Sequence, residues 1–239
     1  MLNVGALDSG TISGCFEYAC GAGLDFSIIR SLYARLLVAG HPGPVVGLVR
    51  ATCNDHLDVV NALIGTLGIN VEAVDEPGYT ALMRAAINGH RDTVNALAGT
   101  HKANVEAVDE GKRRTALMLA AMKGHTDSVK TLAGTHKANV EAVDHEGRTA
   151  LMLAAFYGHT DTVNALAGTH NANIETVDHH GRAALAIAVL KDHTDTVNAL
   201  AGTHNADVKA VDKYGYTVLM LAALHGQTDT VEALRDHGA

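Results

Sequence analysis

The chain of 239 residues has no tryptophan, and Phe and Tyr together supply only 4% of it. A core without large rings is filled by short side chains in close contact. Cysteine is equally sparse: Cys15, Cys20 and Cys53 all lie in the first quarter. An odd count in a chain of this size gives no disulfide framework and predicts reduced thiols in a cytosol. There is no Asn-x-Ser/Thr acceptor, and the opening "MLNVGALDSG" has neither the basic nor the apolar region of a secretory signal. No apolar run approaches the roughly 20 residues of a membrane span. A basic excess is also missing: 18 Lys and Arg face 26 Asp and Glu, for a net charge of −8. That balance argues against a general affinity for nucleic acid. Apolar residues at 47% exclude a disordered acidic tail. The expectation is a soluble, cytoplasmic chain, a location compatible with delivery into a host cell as an effector.

What the chain has in quantity is repetition. "HTDTVNALAGTH" stands at 159–170 and again at 193–204. A catalytic site needs its groups once, so verbatim copying points to a stacked structural unit. Aligned on "VD", units start at Val74, Val108, Val143, Val177 and Val211, with spacings of 34, 35, 34 and 34. The extra residue falls in "DEGKRRT" (109–115), opposite "DHEGRT" (144–149), as turn insertions do. Within one unit, Leu151, Ala154 and Ala155 recur at helical spacing and Thr149 is placed to cap their helix. Gly158 ends it. Thr160 or Asp161 is placed to cap a second helix that buries Val163 and Leu166. "ANIETVDHHG" (172–181) alternates up to a Gly turn, which predicts an extended hairpin. Neither helix is long enough to be stable alone, so the copies exist to bury their stripes on one another.

These residues resemble ankyrin repeats. "DEPGYTALMRAAINGHRDTVNAL" (75–97) and "DHEGRTALMLAAFYGHTDTVNAL" (144–166) follow the family's Asp-x-x-Gly-x-Thr-Pro-Leu, Ala-Ala, Gly-His and Val/Leu pattern. The resemblance covers 46–239 in six units, the first of which keeps Leu48, Ala51, His56, Val60 and Leu63. Residues 1–45 read as a capping segment with a degenerate repeat, in which Phe16, Ala19, Gly23 and Ile28 match. The resemblance implies an all-α solenoid of stacked helix-turn-helix units with β-hairpin loops. Three departures stand out. Ala replaces the family's Pro before Leu82, Leu117, Leu151 and Leu185. Met83, Met118, Met152 and Met220 stand where the family has His, so that hydrogen-bonding ladder is missing. "AGTHKAN" and "AGTHNAN" are one residue longer than the usual second-helix ending, either as a bulge or as a longer loop. The chain stops after a full helix pair. Val218, Leu219, Leu221, Val231 and Leu234 are therefore expected to lack a following neighbour, as in a truncated chain or an end-to-end contact.

Fifteen histidines invite a metal hypothesis. His56, His90, His125, His159 and His193 recur at the inter-helix turn, and His101, His136, His170 and His204 after the second helix. One His per repeat is spaced far beyond the ~2 Å ligand distances of zinc, so both rows read as structural. His145, His179 and His180 at neighbouring tips are the exception considered. "HEGRT" (145–149) has Thr149 where a zinc-protease motif needs its second His, and "GKRR" (111–114) lacks the Ser/Thr of a phosphate loop. Glu106, Glu141 and Glu175 repeat in register and read as a solvated edge. In the family that place can hold an Asn that is hydroxylated, and Glu does not take the modification. No cofactor, metal or catalytic residue is expected.

A binding face is indicated instead. From 74 onward the aromatics are Tyr79, Phe156, Tyr157, Tyr214 and Tyr216, and each falls on a hairpin tip or a first-helix end rather than a repeating core position. Aromatic anchors are enriched at interfaces. Equivalent to Phe156–Tyr157 are Ile87–Asn88, Met122–Lys123, Leu190–Lys191 and Leu224–His225, an apolar-then-polar stripe. Lys112, Arg113, Arg114, Arg148 and Arg182 at three successive tips form a candidate cationic strip for an acidic segment. The expectation is a non-catalytic scaffold that binds another protein through a concave face of tips and first helices, without membrane or nucleic-acid partners. The alternative is an assembly module that oligomerises through its apolar C-terminal end, where the first reading predicts a monomer.

Overall fold

The computed structural model describes residues 9–39 and 43–239. The stretch 1–8, on which the reading of the N-terminus rests, lies outside the described residues. Contacts divide the chain into two compact units, Met1–Asn104 and Val105–Ala239. That boundary follows packing, whereas the 45/46 boundary above follows sequence similarity. No strand is formed among the described residues; the expected hairpins are loops, closed at Val74–Thr80 and Val211–Thr217 by single antiparallel bridges.

In the first unit the helices are α1 (Ser9–Gly21), α2 (Phe26–Ala39), α3 (Gly43–Cys53), α4 (Leu57–Gly65), α5 (Ala81–Asn88) and α6 (Arg91–Asn95). α1 packs on α3, with Phe16, Ala19 and Cys20 fully buried. Gly47 permits that approach, since a Cβ there would stand 2.3 Å from the Phe16 ring. Leu48, Ala51, Val60 and Leu63 are in the core as read. The register in α2 is one residue off: Ile28 is 46% exposed and Ile29 is buried. Asp25 sets that register, because its carboxylate accepts the Ser27 N–H and hydroxyl at the helix start.

In the second unit four helix pairs follow one another: α7 (Ala116–Met122) and α8 (Thr126–Lys130), α9 (Ala150–Phe156) and α10 (Thr160–Asn164), α11 (Ala184–Leu190) and α12 (Thr194–Asn198), α13 (Val218–Leu224) and α14 (Thr228–Asp236). The first helices pack in sequence, α7 on α9, α9 on α11 and α11 on α13. Leu151, Ala154, Ala155, Val163 and Leu166 are at most 1% exposed, as their spacing predicts. Met118 and Met152 are each 1% exposed, so the family's His place has become an apolar plug. Burying such a side chain is worth roughly 1.5–3 kcal/mol.

Thr115, Thr149 and Thr217 cap the first helices, accepting the N–H three residues on at 3.3, 3.4 and 3.3 Å. The second helices are different. His159 rather than Thr160 or Asp161 occupies the N-cap of α10, and no side chain caps it. Its ring instead reaches the Met122 carbonyl of the repeat before, at 3.2 Å. The Thr160 hydroxyl bonds Thr196 of the repeat after, at 2.9 Å.

The extra residue of the "AGTH" segments bulges the helix. Ala96–Thr100, Thr131–Thr135, Ala165–Thr169 and Ala199–Thr203 are single π-helical turns, each ended by a His N–H bonded five residues back. The next bond, Ala172 N–H to Leu166 O at 3.0 Å, closes the turn. In the shorter last copy Ala239 closes on Leu234 at 3.1 Å with one residue fewer, and α14 runs through.

These features explain the copied twelve residues. His193 bonds Phe156 O at 3.1 Å, and Thr194 bonds Thr230 at 2.9 Å. Asn164 receives His204 at 2.9 Å. Gly158 and Gly168 lie under the His193 and His204 rings, where a Cβ would stand 2.7 and 3.3 Å away. In the second copy His193, Thr194, Thr196, Asn198 and His204 are therefore each half of a joint with the repeat before or after.

Candidate functional site

Of the pairs proposed above as a stripe, Ile87–Asn88 lie at the end of α5 in the first unit, and the other four stand at the ends of the first helices of the second unit. Thr capping sets where α7, α9 and α13 begin, Ala183 stands uncapped before α11, and a left-handed residue follows the end of each: Gly124 (φ 72°), Gly158 (φ 71°), Asp192 (φ 58°) and Gly226 (φ 67°). The last helical residue and its C-cap thus recur in register: Met122–Lys123, Phe156–Tyr157, Leu190–Lys191 and Leu224–His225. The histidine joints hold this row from below, since the carbonyls that His159 and His193 engage are those of Met122 and Phe156. At Leu190 the joint is missing. Gln227 stands in the His place, and its Oε1 is buried without a partner.

Phe156 and Tyr157 meet edge-on, with ring centroids 4.9 Å apart at 62°. Lys191 of the next repeat lies 4.3 Å over the Phe156 ring, and Tyr157 stacks on His159 at 6.2 Å. Tyr157 is nonetheless 46% exposed. Phe156 is half-buried beside it, and an aromatic pair already fixed by its neighbours loses little side-chain entropy on contact. Tyr214 and Tyr216 are 67% and 43% exposed, with Lys213 over the Tyr214 ring at 5.1 Å. Tyr79 belongs to the first unit, where Arg84 covers its ring at 4.6 Å.

The cationic strip is corrected by the geometry. Each hairpin of the second unit starts with an Asp whose Oδ1 accepts two backbone N–H groups of the turn; for Asp144 these are Glu146 and Arg148, at 2.9 and 3.0 Å. Its Oδ2 takes the Arg148 guanidinium at 3.0 and 2.9 Å, and Glu146 takes Nη1 at 2.9 Å. Arg148 is only 8% exposed. Arg182 is bound to Asp178 in the same way, at 2.9 and 2.6 Å. Arg114 points inward, with Nη1 3.3 Å from the Met122 sulfur and Nε 3.8 Å from Asp144. A buried carboxylate requires such a partner. Burial pushes the Asp144 and Asp178 carboxyls up, but the Arg and backbone hydrogen bonds outweigh it and hold both below the ordinary range. Lys112 and Arg113, on the inserted tip, are the two cations of the strip that remain exposed.

Glu106, Glu141 and Glu175 are more than a solvated edge. Each accepts the backbone N–H of the next repeat, Asn139, Asn173 and Asp207, at 2.8, 2.7 and 2.9 Å. The tips are laced likewise, His145 N–H to Lys112 O and His179 N–H to Glu146 O, at 3.0 and 3.1 Å. Among the described residues no trio of His, Cys, Asp or Glu converges closely enough to share a metal ion, the tip histidines included.

A family model described as ankyrin repeats (3 copies) matches residues 47–109, 101–178 and 170–239. The chain belongs to the ankyrin-repeat family. No curated protein matches its sequence. Ankyrin repeats are generally protein–protein interaction modules. In this ankyrin chain the bulge was one of the two alternatives that the sequence left open, and the Asn–His joints were not anticipated from it. A signal of the joints was present in the near-constant spacing, 40, 40 and 39 residues, of Asn61, Asn164 and Asn198 from His101, His204 and His237, which bond them at 2.8, 2.9 and 3.3 Å. No helix among the described residues is long and apolar enough to cross a membrane.

Proposed function

We propose that the chain is a non-catalytic scaffold that binds another protein through the first-helix ends and tips of residues 105–239. The observation that carries this is the braced pair of half-buried Phe156 and exposed Tyr157 in a row of otherwise aliphatic and polar ends. Met122, Leu190 and Leu224 extend the apolar line, and Lys123 and Lys191 edge it. Tyr214 and Tyr216 add anchors, while Lys112 and Arg113 orient an acidic part of the partner. Arg114, Arg148 and Arg182 drop out of the contact set, since their guanidinium groups are engaged within the array. Tyr79 belongs to the first unit and is left out of this contact set; residues 1–45 are proposed as a cap of that unit. The test is a lysate pull-down with quantitative mass spectrometry, comparing the native chain with a Phe156→Ala/Tyr157→Ala variant of matched melting temperature. Loss of a specific prey at least about tenfold is expected, as for a hot-spot pair. An unchanged prey set would refute the row.

A second reading is self-association through the last helix pair. Met220 and Leu224 are 52% and 67% exposed there, although Val218, Leu221 and Leu234, expected to be bare, are covered. A light-scattering mass of one chain at high concentration would eliminate it.

A further inference from the structure

The repeat at 177–206 departs from its neighbours in two small side chains. Ala183 stands where Thr149 and Thr217 cap, and Ala186 stands where Met118 and Met152 plug the interface. The consequence is a cavity of about 100 Å³ beside the following repeat, walled by Val177, Ala183, Ala186, Val211 and Val218. That is room for about three waters, or for one thioether or isobutyl arm. Val177 and Val211 at its mouth are 53% and 56% exposed.

A separate departure meets the first at the same place. In the repeats starting at 143 and 177 the hairpin Asp is neutralised four residues on, Asp144 by Arg148 and Asp178 by Arg182. In the next repeat that place is Tyr216. Asp212 keeps its two turn hydrogen bonds, from the Tyr214 and Tyr216 N–H groups at 2.8 and 3.0 Å. Among the described residues no cation pairs with it, and Asp212 and Asp207 line the cavity. The array therefore lacks, at one point, both an aliphatic arm and a guanidinium that it supplies from its own side chains elsewhere.

We propose that this cavity is a second docking point, which takes one aliphatic side chain of Met or Leu size from an unstructured protein segment and sets a neighbouring arginine of that segment against Asp212. The sibling repeats show the complementarity in cis, and Glu175, Asp207 and Asp212, which all line the cavity, make the mouth anionic. The inference rests on the chain being a protein-binding module but not on the aromatic row.

The test uses the full chain and Ac-Arg-Met-Arg-NH2, whose two arginines serve either chain direction, followed by the amide resonances of Ala186, Val211 and Asp212. Saturable shifts are expected, with Ac-Arg-Ala-Arg-NH2 and Ac-Glu-Met-Glu-NH2 inactive. Ala186→Met fills the cavity and should weaken binding at least about tenfold, the worth of burying one such side chain. Tyr216→Arg supplies the cation in cis and should weaken it by up to about fivefold, as befits an ion pair open to solvent. Both substitutions copy sibling repeats, so the fold survives them. An equal response to Ac-Arg-Ala-Arg-NH2, or indifference to Ala186→Met, overturns the proposal. Phe156→Ala/Tyr157→Ala should leave the peptide response unchanged. A failed pull-down with intact peptide binding sinks the row alone, and the reverse sinks the cavity alone.

Discussion

At the scale of the residue, the array is a set of repeated two-residue joints, and one of its Asn–His joints is broken. His101, His204 and His237 each bond an Asn one repeat earlier. For His170 the corresponding residue is Lys130, and His170 Nε2 is buried without a partner. Burial first, then Lys137 and Lys130, hold the His170 imidazole below its ordinary pKa. Lys130→Asn should restore the joint. A buried donor that regains its acceptor gains about 0.5–1.5 kcal/mol, and the departing ammonium relieves repulsion as well. We expect a higher denaturation midpoint and an upward shift of the His170 titration followed by NMR. A variant no more stable than the native chain would show that water satisfies the ring. The Asn and His positions were visible in the sequence as a near-constant period, but their partnership was not. Residues 40 apart become neighbours only once the packing is known.

At the scale of the element, the helices were legible and their endings were not. Capping threonines and apolar spacing located the first helices to within a residue, because the Thr side chain and the buried stripe act locally. The extra residue in "AGTH" could go into a loop or a bulge at similar local cost. The closing bond from Ala172 onto Leu166 decides for the π-turn, and that bond has no signature in spacing. The aromatic row was legible because it breaks the period; the tip arginines misled because their Asp partners were read separately. The π-turns end on a left-handed residue, Lys102, Lys137, Asn171 and Asn205 at φ 57°, 56°, 51° and 54°, where the last copy has Gly238 at φ 89°. A Lys in that conformation costs about 1–2 kcal/mol, partly offset in Gly by its larger unfolded-state entropy. Lys137→Gly should therefore raise stability by roughly 0.5–1 kcal/mol in urea denaturation. A loss of stability would mean that the Lys137 side chain makes a favourable contact that outweighs the strain.

At the scale of the whole molecule, the array's cohesion is written in groups that resist protonation, which fixes the sign of its response to acid. His101 and His170 are held below their ordinary value, chiefly by burial. The unfolded chain then binds more protons than the folded one as the pH falls through about 6.5, so stability declines there. Asp144 and Asp178 are also held low, with burial outweighed by Arg and backbone hydrogen bonds. Their contribution is complete above the unfolded value of about 3.9 and is lost as the pH falls towards the folded one. The urea midpoint should be flat above pH 7, fall modestly through pH 6.5, and fall steeply below about pH 4. Asp144→Asn leaves Arg148 almost buried without its main counter-ion, which costs about 3 kcal/mol at neutral pH and removes part of the steep acid limb. Glu146, still 2.9 Å from Nη1, keeps that cost at the lower end of the range for buried pairs. A midpoint that rises on acidification, or an acid limb that Asp144→Asn leaves untouched, would mean that the tip ion pairs do not anchor the array.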